Sequence, residues 1–213
     1  MKRVKKAQGR EWRGDFLFIG NNLSLDFLNT RPVQNNEPTE LLTDFAALLR
    51  WFEAAKQVSS SEAARMSQKW GNSPLAQQVV KAMRQLREWL RAAVLVWEGE
   101  GKVPSATMRK INRLIAKHPM RLRLKTSGTG YATELWFEAL RPDDLYAPLA
   151  HSAASLFADV DRQRVRKCGQ CILHFHDTSK KGTRRWCSMQ LCGNRLKVAA
   201  YAARHHRKSR RQR

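Results

Sequence analysis

All four cysteines of this 213-residue chain fall within 25 residues, as Cys168-x2-Cys171-x15-Cys187-x4-Cys192. That spacing limits what the segment can become. A Cys-x2-Cys turn sets two thiolates on one side of an ion, and a second pair from further along the chain closes a tetrahedron around Zn2+. The fifteen residues between the pairs suffice for a small loop or hairpin, with Lys180-Lys181-Gly182 as its turn. A cage of four cysteines leaves no position for water, so one zinc held by Cys168, Cys171, Cys187 and Cys192 is structural. It folds a segment with too little apolar surface to fold alone. Three other readings compete. His174 or His176 could replace one cysteine. A Cys-x2-Cys pair can be redox-active, but that chemistry needs a thioredoxin-like βαβ context that is absent here. Four cysteines could also make two disulfides in a secreted protein. The basic segment 1–13 has no apolar core after it, so a soluble, cytoplasmic protein is expected and a metal site is the stronger reading.

Charge separates the cysteine segment from the rest. The chain carries a formal +22. From Asp161 to Arg213 there are 16 Lys/Arg and 2 Asp/Glu, whereas the first 160 residues hold 24 and 16. A polyanion is the expected partner. A basic tail serving only solubility would not interleave its charges with cysteines and a helical pattern. No apolar run approaches the roughly 20 residues that span a bilayer, so no membrane partner is expected.

The region ahead of the cysteines reads as mainly helical. Phe16 to Ile19 suits a strand. Asn22 to Thr30 is ambiguous between a strand and a short helix capped by Asn21 or Asn22. Arg31 to Pro38 reads as a loop. The spacing predicts a helix over 40–57 with Thr39 as N-cap and Leu41, Phe45, Leu48, Leu49 and Phe52 on its apolar face. A second helix opens at Ser60 or Ser61 and reaches Trp70. Ser73 caps a long one that starts at Pro74, carries Leu75, Val79, Met83, Leu86, Leu90, Val94 and Trp97, and is stopped by Gly99 and Gly101. Another runs from Ser105 to Lys117. Met120, Leu122 and Leu124 then alternate with basic residues, and Ser127 to Gly130 turns into a β-rich run, predicting an antiparallel hairpin at about 120–138. A last helix starts at Pro142 and carries Leu145, Leu149, Ala153, Leu156, Phe157 and Val160. The tryptophans and phenylalanines sit mostly at helical spacing and read as core.

The expected fold is therefore α+β, mainly α-helical: a helical N-terminal domain with a small antiparallel sheet, and a small C-terminal four-cysteine module ending in a basic helix. The expected limits are a disordered basic arm at 1–13, a domain at 14–160, the zinc module at 161–208 and a basic tail at 209–213. The final helix is expected from Cys192 to about Lys208, with Leu196, Ala199, Ala200 and Ala203 packing inward. On a neighbouring face Lys197, Tyr201, Arg204 and Lys208 form a cationic stripe with no acid in the helix. Such a stripe can meet phosphates along a groove. Arg184, Arg185 and Arg195 lie next to the metal in sequence and are further candidates for touching nucleic acid. Asn194 could serve that purpose or bond the backbone. The terminal basic run suits non-specific phosphate binding. No Gly-rich phosphate loop, metal-carboxylate cluster or nucleophile triad is present, so no enzyme is expected.

Cys168-Gly-Gln-Cys171, Arg185-Trp-Cys187 and Cys192-Gly-Asn-Arg195, followed by an alanine-rich basic helix with Tyr201, resemble the CGNR zinc-finger family, named for that tetrapeptide. In these bacterial proteins, regarded as stress-induced transcription regulators, an upstream domain called ABATE accompanies the finger. Its signature is similar to Leu25-Asp-Phe-Leu-Asn-Thr30 here. The resemblance implies a regulator whose finger binds double-stranded DNA and whose four cysteines hold zinc. It supplies no effector, so the N-terminal domain is expected to dimerise or to sense an unknown small molecule. Asp26 and Asn29 of the signature either cap structure or line a ligand pocket. An RNA- or ribosome-associated protein using the same basic surface is the alternative function.

Overall fold

The computed structural model describes residues 11–34 and 37–194. Its backbone is the long helix α4 (Pro74–Glu100), about 40 Å at 1.5 Å per residue. The Ser73 side chain accepts from the Ala76 amide, Pro74 fills the first turn, and Gly101, at φ 74°, ends the helix. Around it pack α2 (Phe45–Ala54), α3 (Ser60–Trp70), α5 (Ser105–Lys117) and α6 (Tyr146–Asp159), the last preceded by a 3-10 turn at Pro142–Leu145. Ser59 and Glu62 cap α3 reciprocally, which satisfies two amides that the first turn leaves unpaired.

The ambiguous segment is a helix, α1 (Leu23–Leu28), with the Asn22 side chain accepting from the Ser24 and Leu25 amides. Neither period shows in its sequence because Ser24 to Leu28 are all buried. Phe27 enters a core with Trp51, Phe52 and Met83 under the first half of α4. Leu25 and Leu28 enter a second with Leu90, Val94, Trp97 and Leu156 under its second half. One short helix thus joins both halves of the interior.

Among the described residues, four two-stranded antiparallel sheets accompany the helices: β1 (Trp12–Arg13) with β2 (Phe16–Leu17), β3 (Val33–Gln34) with β4 (Glu37–Pro38), β5 (Arg121–Ser127) with β6 (Gly130–Trp136), and β7 (Val165–Lys167) with β8 (His174–His176). The hairpin expected at 120–138 is present in full register from Arg121↔Trp136 to Ser127↔Gly130. Among the described residues, no helix is long and apolar enough to cross a membrane.

Three boundaries differ from expectation. Trp12 and Arg13, read as the end of a disordered arm, pair with β2, and the Arg13 guanidinium stacks 4.6 Å over Phe18. Part of the loop 31–38 is the ladder β3–β4. The helix expected from Glu40 starts only at Phe45, with Asp44 rather than Thr39 as its cap. Glu40 is occupied elsewhere: its carboxylate takes both terminal nitrogens of the buried Arg87 at 2.8 and 2.5 Å and accepts from the Leu42 amide. The Leu41 amide donates to the Thr30 carbonyl. These bonds hold 40–42 out of helical conformation. The same helix ends at Ala54 rather than Gln57, where Lys56 adopts φ 60°.

Candidate metal centre

The four cysteines converge. Cys168 and Cys171 form the turn between β7 and β8. Cys187 follows the loop that returns from β8, and Cys192 lies in a π-helical turn, Met189–Gly193. That helical turn therefore starts before Cys192, capped by Ser188, whose hydroxyl accepts from the Gln190 and Leu191 amides. The Ser188 carbonyl accepts from both Cys192 and Gly193. All four sulfurs lie within 4.8 Å of one another, with Cys171–Cys187 and Cys187–Cys192 at 3.6 Å. A tetrahedron with Zn–S bonds of about 2.3 Å separates its sulfurs by about 3.8 Å, so the cluster has the size of one zinc ion. Cys168, Cys187 and Cys192 are buried and Cys171 is partly exposed. The Cys187 amide points at the Cys168 sulfur at 3.3 Å. Gly169 sits close under the Trp186 ring: a Cβ there would stand 3.1 Å from it, and the ring would have to shift by a few tenths of an ångström.

The electrostatics of the bare thiols agree with a cation site. Bonds from Cys171 and Cys187 hold the Cys168 thiol far below its usual range. The same contact with Cys168 pushes Cys171 up to about 12 and Cys187 higher still, while burial raises Cys192. Four thiolates this close would repel one another, so ionising all of them requires positive charge in their midst, which a structural Zn2+ supplies. With four soft donors and no further His, Cys, Asp or Glu in the cluster among the described residues, the site suits one structural zinc.

Neither histidine belongs to this cluster. His174 and His176 lie on β8, opposite Lys167 and Val165. The His174 ring turns towards Glu98 of α4, with Nε2 3.7 Å from Oε2.

The finger is built onto the N-terminal segment. Leu17 and Ile19 share a buried core with Leu173, Phe175 and the cysteines, so the packing crosses the boundary expected at 160. The Asn29 side chain, 1% exposed, clasps β8 from both sides: Nδ2 donates to the His174 carbonyl at 2.8 Å, and the His174 amide donates to Oδ1 at 2.9 Å. One residue pair on, the His176 amide donates to the Gly20 carbonyl and Asn21 Nδ2 donates to the His176 carbonyl. Asp26 fixes the turn before α1, its Oδ1 accepting from the Gly20 amide at 2.7 Å. Burial pushes this carboxyl up to about 6, against amide bonds from Gly20 and Ile19 that favour the ionised form. A Cβ at Gly20 would lie 2.7 Å from the Asp26 nitrogen, so glycine is required there. Both signature residues therefore carry structure. Thr30 and Arg91 extend the same seam: Arg91 Nη2 donates to the Leu28 carbonyl at 2.6 Å, and the Thr30 hydroxyl accepts from Arg87.

The basic residues named from sequence divide. Arg184 braces the cage, its guanidinium donating to the Trp186 and Cys187 carbonyls and lying 4.4 Å over the Phe175 ring. Arg164 and Arg166 likewise donate to loop carbonyls, of Ser179 and Gly182. Arg185 is exposed, resting 5.3 Å over Trp186. Arg195, Lys197, Tyr201, Arg204 and Lys208 lie outside the described residues. The bracing seen for Arg184 had no signature in sequence, where it is one more cation in a basic run.

Residues 21–160 match the model of the ABATE family, described as "Putative stress-induced transcription regulator", and residues 164–205 match that of the CGNR zinc finger. Comparison with curated proteins gave no match.

Proposed function

Because the chain belongs to the ABATE family and carries a CGNR zinc finger, we propose that it is a zinc-dependent, DNA-binding transcription regulator. The observation that carries this reading is charge placement: the finger and the residues after it hold 16 Lys/Arg against 2 Asp/Glu. In this reading zinc fixes the backbone from which Arg185 and the residues beyond Asn194 reach phosphate and base edges of double-stranded DNA. The ABATE region senses a small-molecule effector or dimerises. The protein is a binding protein rather than a catalyst, and it works in the cytoplasm, on the nucleoid. Lys197, Tyr201, Arg204 and Lys208 are the proposed contact stripe.

The test is the salt dependence of binding by the zinc-loaded protein to a pool of duplex DNA, followed by fluorescence anisotropy. Each phosphate contact contributes about 0.9 to the slope of log K against log salt, so Lys197→Ala with Arg204→Ala reduces that slope by about 2. An unchanged slope contradicts the stripe as the contact surface. Total RNA that outcompetes duplex DNA would move the reading to an RNA- or ribosome-associated protein using the same surface.

A further inference from the structure

The hairpin β5–β6 turns its apolar face the wrong way for a monomer. Leu122, Leu124 and Thr126 share one face of the ladder with their register partners Leu135, Thr133 and Tyr131. In an antiparallel sheet with one wet face, the apolar side normally packs on the core. In this hairpin the charged side does so. Ala132, Glu134 and Trp136 are half-buried, whereas Tyr131, Thr133 and Leu135 are exposed. Arg123, Glu134 and Trp136 line a depression shared with Glu53 and Ser60 at the corner between α2 and α3, with Leu135 at its rim. Glu134 takes Arg123 at 2.8 Å and Lys125 at 2.6 Å. Leu122, Leu124, Tyr131 and Leu135 are left 67%, 69%, 77% and 46% exposed. Together they leave roughly 400 Å2 of apolar surface in water, a patch of the size that serves binding on monomeric proteins.

The chemistry of the face selects its partner. None of its six side chains is charged, on a chain of formal +22. Nucleic acid or an anionic membrane would be met by cations. The chain's own ends, 1–10 and 195–213, hold no acid and many Lys and Arg, and would bring more positive charge beside Arg121, Arg123 and Lys125. Two copies of so basic a chain approach best across an uncharged surface. The face also complements itself. Each register pair joins a large side chain to one of equal or smaller size: Leu122 with Leu135, Leu124 with Thr133, Tyr131 with Thr126. A two-fold axis along the strands exchanges β5 and β6, so the same pairs meet again between copies. With the threonines and the strand rims, such contact buries about 1,000 Å2 in all, where specific but weak interfaces begin.

We infer that this outer face of β5–β6 pairs with the same face of a second copy, as a two-fold dimer of micromolar affinity. The inference deepens the regulator reading above, in which the ABATE region dimerises, by naming the surface. A dimer presents two fingers to one duplex.

The test is sedimentation equilibrium of the zinc-loaded full chain without DNA, from about 0.5 to about 200 μM, in about 0.3 M salt to screen its basic ends. The mass is expected to rise from one chain to two and no further. Leu124→Glu places a carboxylate at a largely exposed position and is expected to weaken association at least about a hundredfold, with one zinc per chain and an unchanged melting temperature. Leu95→Glu, at an exposed apolar position on α4, is the control and leaves association unchanged. A chain that stays monomeric throughout, one that dimerises equally well with Leu124→Glu, or one that grows beyond the dimer overturns the inference. Co-sedimentation with phosphatidylcholine vesicles that Leu124→Glu abolishes assigns the face to a membrane and overturns it too. Because no DNA is present, failure to dimerise and failure to bind DNA are read separately. A monomeric Leu124→Glu that binds duplex DNA as tightly as wild type keeps the dimer surface and removes its use in DNA binding.

Discussion

Replacing Asn29 with alanine removes a side chain that bonds both backbone polar groups of His174 in the finger's strand. The Asn29 amide donates to the His174 carbonyl and accepts from the His174 amide, with the side chain 1% exposed. Alanine leaves a buried N–H and a buried C=O without partners, at about 1–3 kcal/mol each, or about 4 kcal/mol for the pair. The loss is concentrated at the seam between α1 and β8, not at the cage. Two assays on the zinc-loaded chain check it. Urea denaturation should show a fall of about 4 kcal/mol, against a cost of no more than about 0.5 kcal/mol for an ordinary surface substitution. Amide exchange at His174 and His176 should speed up by about three orders of magnitude, since 1.4 kcal/mol is a factor of ten. Zinc stoichiometry should stay at one, because no ligand is touched. A variant within about 0.5 kcal/mol of wild type, or one with exchange unchanged at β8, would refute the reasoning that the Asn29 clasp mounts the finger on the ABATE core.

Two further substitutions separate charge from structure. Asp26 is ionised in the unfolded chain above 3.8 but in the folded chain only above about 6. Its contribution to stability therefore falls as pH rises through that window and stays low above it. Asp26→Asn keeps an acceptor for the Gly20 amide without the buried charge, and is expected to be more stable than wild type by about 3 kcal/mol at pH 7.5 and by about half that at pH 5. Urea denaturation at both pH values checks this, and a less stable variant at pH 7.5 would show that the charge is favourable. Arg184→Gln should cost about 2 kcal/mol by stripping two carbonyls beside the cage of their donor. Arg185→Gln should leave stability within about 0.5 kcal/mol. Equal effects of the two would contradict the division between a bracing arginine and an exposed one.

The elements with strong local signals were legible in the sequence. Ser73, Pro74 and Gly101 mark both ends of α4 because capping and left-handed turns depend on the residue itself. The hairpin β5–β6 follows from its alternation, although the face carrying Leu122 and Leu124 is left 67% and 69% exposed. Alternation states which residues share a face, not what covers it. The cage was legible because four cysteines at ligand spacing have few other uses. What stayed hidden depends on partners remote in sequence. Glu40 leaves the start of α2 because Arg87, 47 residues on, takes its carboxylate. Asn29 holds a strand 145 residues away. Leu17 and Ile19 complete the finger's core from the opposite end of the chain. The direction of the His174 ring, towards Glu98 rather than the cage, was likewise invisible, because a histidine near cysteines reads as a spare ligand until its ring is seen to face elsewhere.

The claim on which the rest stands is that Cys168, Cys171, Cys187 and Cys192 alone hold one zinc ion. X-ray absorption at the zinc edge of the purified full-length protein tests it most directly. The account predicts one zinc per chain with four sulfur neighbours at about 2.3 Å. A first shell that includes nitrogen or oxygen at about 2.0–2.1 Å would contradict it, because His174, His176 or water would then be a ligand and the site would not be the closed cage described above.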